Sequence, residues 1–172
     1  DLEKRVGLGH RRLSILDLSL EGHQPMQSLS SRYVIAFNGE IYNHLDLRKE
    51  IDLCQVPAAD KNSSTEWRGH SDTESLLAGF DAWGIKGTVD RARGMFAFAV
   101  WDRKTETLTL ARDRVGEKPL YYGWQGRGND AVFLFGSELK ALKVHPAFEN
   151  NISRGSICLL LRHNCIPAPY SI

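Results

Sequence analysis

Two uninterrupted apolar segments constrain the fold of this chain more than any other feature. Residues 33–37 read YVIAF and residues 94–101 read GMFAFAVW. Each run is too short for a buried helix and is typical of a strand whose two faces are both covered. The chain is therefore expected to build its core around at least two central strands, with a layer of structure on either side.

The first apolar run leads directly into Asn38 and Gly39, a pair that favours a turn. No second strand is indicated after it, because Asn43 and Asp46 have the spacing of a helix cap. We predict a turn that joins a buried strand to a helix. Such a turn can present a side-chain amide and a backbone N–H in one direction, as an oxyanion hole does. A purely structural turn is the alternative.

Helix signals are clearest from Ser71, where Glu74 follows at the spacing of a capping box and Gly84 predicts the end of the helix. A short helix is predicted after Ser137, and residues 157–161 have the pattern of a last helix. Residues 16–31 and 52–69 have loop composition.

Further strands are predicted for residues 107–111, 120–122 and 131–135, and for residues 6–15 with a change of phase near Arg11-Arg12. Strands outnumber helices, and short turns join consecutive strands. These features predict an α+β fold in four layers, an α-β-β-α sandwich of two stacked antiparallel sheets with helices outside.

The composition of the chain indicates which kinds of molecule it can bind. The chain has 172 residues, enough for a single domain with one core, and a net charge of +1. That balance predicts no nucleic-acid partner and no membrane partner, and no window is apolar enough for a membrane span. A polar or zwitterionic small molecule is the expected ligand.

The three cysteines, Cys54, Cys158 and Cys165, match neither a disulfide framework nor a zinc site. They are interpreted as small half-buried residues of a protein in a reducing compartment, which predicts a cytoplasmic location.

Two charged residues are candidates for binding a small zwitterion. Arg12 lies at the phase change and could hold a carboxylate with its planar guanidinium, or it could be a solvated charge. Asp72 lies in the first turn of the best-marked helix. It could accept from an ammonium group, or it could only stabilise the helix dipole. The residues alone leave both alternatives open.

Seven motifs in order resemble one known family, the glutaminase domain of glutamine-hydrolysing asparagine synthetases, a class II glutamine amidotransferase. These motifs are HRRLSILDLS from residue 10, QPM from 24, FNGEIYN from 37, HSDTE from 70, GMFAFAVWD from 94, ARDRVGEKPLYY from 111 and SELKAL from 137. The resemblance covers nearly the whole chain. It implies the four-layer fold of the N-terminal nucleophile hydrolases and a single glutaminase-type domain over residues 1–172, with 143–172 leading toward a synthetase domain.

By this resemblance, Asn38 and Gly39 are the oxyanion pair and Glu40 completes the binding segment. Arg12 pairs with the α-carboxylate of L-glutamine, and Asp72 accepts from its α-ammonium. Backbone contacts around the same pocket are expected from three further residues: Leu13, Ile15 and Leu16.

The resemblance also implies a nucleophilic cysteine at the mature N-terminus, whose own amino group is the base. This sequence begins at Asp1 and contains no such residue, so the chain as given is expected to be truncated before its nucleophile and inactive alone. No cofactor or metal is expected in this domain. ATP and magnesium are expected in a C-terminal synthetase domain that makes asparagine from aspartate.

Two alternatives remain open. The domain could be a nucleophile-free binding module kept for contact with a synthetase domain, or it could serve an acceptor other than aspartate. A homodimer is also left open as a partner.

Overall fold

The computed structural model describes residues 1, 3–11, 22–55 and 67–171. The chain divides into two compact units, Asp1–Leu120 and Tyr121–Ile172. Each unit contains one antiparallel sheet, of four strands in the first and two in the second. The predicted α+β class with two antiparallel sheets is confirmed.

The first unit is organised around a sheet in which each strand pairs with the next along the chain. Its strands are β1 Met26–Gln27, β2 Tyr33–Ile41, β3 Gly94–Asp102 and β4 Thr107–Arg112. The central pair, β2 and β3, is in register from Tyr33 opposite Asp102 to Ile41 opposite Gly94. The predicted hairpin after residue 101 is confirmed, because β4 returns antiparallel to β3.

Two helices complete this unit, α1 (His44–Gln55) and α2 (Asp72–Arg91). They pack against each other, and α2 packs on β2. Alternate residues of β2 are buried, as expected where one face of a strand meets a core, while most of β3 is buried on both faces. The core cluster joins side chains of the sheet and both helices: Met26, Tyr33, Ile35, Phe37, Ile41, Leu47, Leu76, Leu77, Phe80, Ala92, Phe96, Phe98 and Val100.

The second unit begins with β5 (Tyr121–Gln125), which pairs antiparallel with β6 (Val132–Gly136). A 3₁₀ turn at Gly128–Asp130 lies between them. Two helices follow, α3 (Leu139–Lys143) and α4 (Arg154–His163). The two strands and the last helix agree with the sequence prediction. The short helix begins after Glu138 instead of Ser137, so the predicted cap is wrong.

The prediction of a turn at Asn38-Gly39 is wrong, because both residues lie inside β2. The strand continues because β3 pairs with it residue by residue as far as Ile41. Two glycines permit this close approach. A Cβ added at Gly39 would lie 2.6 Å from the Cα of Phe96, and one added at Gly94 would lie 3.0 Å from the Cα of Ile41. Glycine is therefore needed at position 39 because the neighbouring strand is close, and not because the chain turns there.

Three other predictions need correction. Residues 6–11 form no strand, and the rest of that predicted strand lies outside the described residues. The helical segment that follows Ser71 ends at Gly84 as predicted, because Gly84 has a non-helical backbone (φ 73°), but a second segment that was not predicted continues α2 to Arg91. The second half continues because Ile85 and Val89 pack against the core. Residues 22–31 have the composition of a loop, yet they contain β1.

No helix in the described ranges is long and apolar enough to cross a membrane.

Candidate active site

The edge of β2 that faces away from β3 is the centre of the candidate site. Phe96 lies opposite Gly39, and its backbone forms hydrogen bonds on the side of β3 that faces away from β2. There, the Asp113 N–H donates to the Phe96 carbonyl at 2.7 Å. In an antiparallel pair, opposed residues alternate between bonding to each other and bonding outward. The backbone N–H of Gly39 therefore points away from β3. On that side β1 pairs only with Val34 and Ile35, so the strand does not cover Gly39.

The side chains of β2 alternate between two environments. Phe37 and Ile41 are buried in the core with the helices, while Asn38 and Glu40 are half-buried on the opposite face. The amide side chain of Asn38 and the backbone N–H of Gly39 are thus consecutive polar groups, one on a face of β2 and the other on its edge. Two such donors are what stabilisation of an oxyanion requires.

Asp72 lies next to this segment. It is the first residue of α2, and its buried carboxylate accepts the backbone N–H of Ile41 at 2.8 Å. The Thr73 hydroxyl donates to its other oxygen at 3.5 Å. Since each carboxylate oxygen has two lone pairs, the group keeps acceptor capacity beyond these two bonds. A buried anion with spare acceptor capacity can bind an ammonium group.

Burial raises the pKa of the Asp72 carboxyl, although backbone hydrogen bonds from Ile41 and Thr73 oppose the shift. His44, at the start of α1, has a lowered pKa for the same reason, burial. The Nδ1 atom of His44 is buried and has no hydrogen-bond partner among the residues that the structure describes. The imidazole is therefore neutral at neutral pH, and it places no positive charge beside the carboxylate of Asp72.

Arg48 of α1 fixes the chain that leads into α2. Its buried guanidinium donates to the carbonyls of Gly69 and Ser71, both at 2.9 Å, and to the Ser75 hydroxyl at 2.8 Å. The group also lies over the ring of Trp67, 4.1 Å from its centroid. These contacts hold the residue before Asp72 in one position, so Arg48 contributes to where the carboxylate lies.

Ser71 caps α2 as predicted, with its hydroxyl accepting the Thr73 N–H at 3.1 Å. The predicted capping box is wrong in its second half. The Glu74 carboxylate reaches past Ser71 and accepts the backbone N–H groups of Arg68 (2.7 Å) and Gly69 (3.1 Å). Glu74 therefore orders the preceding loop instead of closing the helix end.

Asn43 precedes α1 and its carbonyl accepts from the first turn. Its side chain does not cap the helix. It bonds instead to the backbone of Arg91 (3.1 Å) and Arg93 (2.8 Å), between α2 and β3.

Asp113 holds the turn after β4 against the opposite side of the same sheet. Its carboxylate accepts backbone N–H groups from Phe96 (3.2 Å), Glu117 (2.9 Å) and Lys118 (3.0 Å). These bonds, that of Lys118 foremost, lower the pKa of Asp113 to about 2. The carboxylate is therefore ionised and structurally occupied, and it supports β3 directly opposite Gly39.

Of the predicted site residues, the structure brings four together. Asn38, Gly39 and Glu40 are consecutive in β2, and Asp72 bonds to the residue that follows them. The other four lie outside the described residues: Arg12, Leu13, Ile15 and Leu16. The assigned roles of all eight stay predictions.

Three residues near the site were not identified from sequence. Gln24 and Thr73 both lie within motifs that were recognised, QPM and HSDTE, but neither was given a role. Arg48 lies in an unremarkable helix, where no sequence signal distinguishes it from a surface arginine. Its burial depends on the tertiary contact between α1 and α2.

The cysteines contradict one prediction. Cys54, Cys158 and Cys165 are free and exposed instead of half-buried. Within the described ranges, no three His, Cys, Asp or Glu side chains group as a metal-ligand set.

Comparison with known proteins identifies the family. The family model described as a glutamine amidotransferase domain matches residues 2–172. The chain is 41% identical over 159 residues to glutamine-hydrolyzing asparagine synthetase 3 of Bacillus subtilis, an alignment that covers 88% of this chain and 23% of the relative. It is 35% identical over 183 residues to putative glutamine-hydrolyzing asparagine synthetase 2 of Methanocaldococcus jannaschii, covering 97% of this chain and 32% of that relative.

The fold has a counterpart among solved structures. Glutamine phosphoribosylpyrophosphate amidotransferase from B. subtilis, complexed with ADP and GMP, superposes with a TM-score of 0.55 at 24% identity, over 74% of this chain and 27% of that one. This likeness confirms the predicted fold class. The chain spans only 23% and 32% of the two synthetases named above. Since the family model matches nearly every residue, the chain belongs to the glutamine amidotransferase domain family.

Proposed function

We propose that this domain hydrolyses the side-chain amide of L-glutamine to glutamate and ammonia. One observation carries the proposal: in a chain of the glutamine amidotransferase family, the backbone N–H of Gly39 points to the edge of β2 away from β3, two residues before Ile41, whose N–H the buried carboxylate of Asp72 accepts. Hydrolysis of an amide needs donors for the oxygen that becomes negative, and recognition of an amino acid needs an acceptor for its ammonium. This short segment offers both.

In the proposed reaction, a cysteine thiolate attacks the amide carbon of glutamine, and the carbonyl oxygen becomes an oxyanion. The side-chain amide of Asn38 and the N–H of Gly39 donate to that oxygen. Collapse of the intermediate releases ammonia and leaves a thioester, which water hydrolyses to glutamate and free thiol. The nucleophile expected from the family is an N-terminal cysteine.

Substrate recognition is assigned to charged groups on both sides of the segment. Asp72 accepts from the α-ammonium of glutamine, and Arg12 pairs with its α-carboxylate. Glu40 and the backbone of Leu13, Ile15 and Leu16 complete the pocket. Because the pKa of Asp72 is raised by burial, glutamine binding weakens on acidification at a higher pH than for an exposed aspartate.

The test measures glutamate release in a form of the protein whose N-terminus is a cysteine, here called the Cys-first form. We expect Asn38→Ala to lower kcat by about 100-fold or more, the usual cost of losing an oxyanion donor. Asp72→Asn should raise KM for glutamine by about 10- to 100-fold, since a charged hydrogen bond is lost. The matched control is Asn150→Ala, at an exposed asparagine in the second unit.

Two results would contradict the proposal. The first is a folded Cys-first form that releases no glutamate. The second is an Asn38→Ala variant with the kinetics of the control.

We further propose that the ammonia is used to make asparagine from aspartate, in a synthetase domain that binds ATP and magnesium. Support comes from the names of the two relatives, both asparagine synthetases that extend well beyond the matched region. The partner is then a domain of the same protein, and the location is the cytoplasm. The full-length protein should form asparagine from glutamine, aspartate and ATP. Glutamate release without any asparagine would point to another acceptor.

A further inference from the structure

A chain of buried hydrogen bonds links two backbone N–H groups of β2 through three side chains. The Phe37 N–H donates to Gln24 Oε1 at 2.6 Å, and Gln24 Nε2 donates to Thr73 Oγ1 at 3.4 Å. The Thr73 hydroxyl donates to Asp72 Oδ1 at 3.5 Å, and Asp72 Oδ2 accepts the Ile41 N–H at 2.8 Å. We call Gln24, Thr73 and Asp72 the β2 clamp.

All three side chains of the β2 clamp are almost inaccessible to solvent: 8% of Gln24, 2% of Thr73 and 5% of Asp72 is exposed. Water therefore cannot easily replace a missing partner, and a polar group of the β2 clamp that loses its partner stays buried and unsatisfied. A clamp in this position resists rearrangement.

The direction of every bond in the β2 clamp is fixed by its ends. A backbone N–H can only donate, so Gln24 must present its oxygen to Phe37 and its nitrogen to Thr73. The Thr73 oxygen accepts from Gln24, which directs its own hydrogen toward Asp72. A hydroxyl can accept from one neighbour and donate to the next, whereas a methyl group of similar size can do neither. Thr73 therefore links the two halves of the clamp in a way that valine cannot reproduce.

The two clamped amides flank the proposed oxyanion donor. Backbone N–H groups alternate between the two sides of a strand, so those of Phe37, Gly39 and Ile41 all point to the edge away from β3. The first and last of these are held by the β2 clamp. The N–H of Gly39 lies between them, where its direction is set by its fixed neighbours on each side.

We infer that Gln24 and Thr73 are positioning residues for glutamine hydrolysis, which hold the Asn38-Gly39 segment and the Asp72 carboxylate as one rigid unit. The inference rests on the proposed function of those groups. It adds a mechanical link between the oxyanion donors and the ammonium acceptor, carried by two residues that need not touch the substrate.

The experiment compares Thr73→Val, Thr73→Ser and Thr88→Val in the Cys-first form. Thr88 is the matched control, since it is equally buried in α2 but its hydroxyl donates within the helix, to the Gly84 carbonyl at 2.8 Å. Thr73→Val should lower kcat and raise KM for glutamine, each by about 10-fold, because small misplacements of reacting groups are costly. Thr73→Ser should restore both constants to within about 3-fold, since it keeps the hydroxyl. At assay temperatures below its melting temperature, Thr88→Val should change neither kcat nor KM.

A second readout does not depend on catalysis. In the 172-residue chain, amide hydrogen exchange at Ile41, whose N–H bonds to the β2 clamp, should accelerate by about 10-fold or more in Thr73→Val and stay unchanged in Thr88→Val. Gln24→Met should produce the same acceleration at Phe37, the other clamped amide.

The outcomes separate the two proposals. If the Cys-first form is folded and inactive, the proposed function fails. The exchange rates then test by themselves whether the β2 clamp holds the strand. If it is active and Thr73→Val matches Thr88→Val in kinetics and exchange, the inference is overturned while the proposed function stands. Equal loss of activity in Thr73→Val and Thr73→Ser also overturns it, since the hydroxyl is then not what matters.

Discussion

The start of α2 and the turn after β4 each place a buried aspartate against the central strand pair, but the two carboxylates differ in how fully they are occupied. Asp113 accepts from three backbone N–H groups in the turn and β3, and its pKa is lowered to about 2. Asp72 accepts from the backbone N–H groups of Ile41 and Thr73 and from one hydroxyl, but burial outweighs these bonds and raises its pKa. The two lie on opposite sides of the same pair of strands.

This difference separates a structural carboxylate from one that is available to a ligand. Hydrogen bonds to a carboxylate favour its charged form, and burial without enough of them disfavours it. Asp113 has its charge satisfied by the fold, so a ligand would have to displace existing bonds. Asp72 has a charge that the described residues satisfy only in part, so a cationic ligand would improve its environment. Four tests, from the largest expected effect to the smallest, bear on this contrast.

Gly39→Ala should destabilise the fold most, because the strand between the two carboxylates has no room for a side chain. The added Cβ would lie 2.6 Å from the Cα of Phe96 and closer still to the Met95 carbonyl. We expect a loss of about 3 kcal/mol or more in the free energy of unfolding, measured by chemical denaturation. Gly9→Ala is the control, since no atom of the described residues lies within 4 Å of its added Cβ. Equal effects of the two changes would show that β2 and β3 are not this close.

Asp113→Asn should come next. The amide has one acceptor oxygen for three backbone donors and adds a donor of its own, so buried N–H groups lose partners. The folded pKa lies below the ordinary value of 3.8, so the stabilisation from ionised Asp113 is fully present above pH 3.8. It is lost as pH falls through about 2. Thermal melts between pH 7 and pH 2 should show the difference from wild type shrinking below pH 4. A constant difference would contradict the assignment.

Ser71→Ala should cost about 1 kcal/mol, the usual value for an N-cap. Its hydroxyl accepts the Thr73 N–H at 3.1 Å at the start of the helix that carries Asp72. Chemical denaturation measures the loss. Ser153→Ala, the equivalent change at the cap of α4, is a matched control for the cap alone. If the position of the Asp72 carboxylate depends on this cap, Ser71→Ala should also raise KM for glutamine, and Ser153→Ala should not.

Asp72→Asn should change stability least at acid pH, and with the opposite dependence to Asp113→Asn. A carboxyl whose folded pKa is raised stabilises the folded state in its protonated form, and that contribution is lost as pH rises from 3.8 through the folded pKa. The free energy of unfolding of the variant should therefore increase relative to that of the wild type as pH increases. Denaturation from pH 3.5 to 8 measures this, with the exposed Asp46→Asn as control. The same sign of pH dependence for both variants would show that the two buried carboxylates do not differ in this way.

The local patterns in the sequence determined several elements correctly because those patterns are short-range. The apolar run at 94–101 lies in β3, the alternating residues after it form β4, and Ser71 is the N-cap of α2. Local preference does not decide the structure at Asn38-Gly39, where it favours a turn but the chain continues as a strand. Pairing with β3 over nine residues outweighed that preference, and a nine-residue ladder cannot be recognised from a dipeptide.

What only the tertiary structure decided is which polar residues belong together. Motifs in the sequence already singled out Asn38, Gly39 and Asp72, and the family resemblance supplied their roles. Neither could reveal that Gln24 and Thr73, 49 positions apart, meet in a buried chain beside that segment. Nor could they reveal that Asp113, within ARDRVGEKPLYY, accepts from three backbone N–H groups and is fully occupied by the fold. The charge state of a buried carboxylate depends on how many donors the fold brings to it, and that number exists only once distant segments have packed.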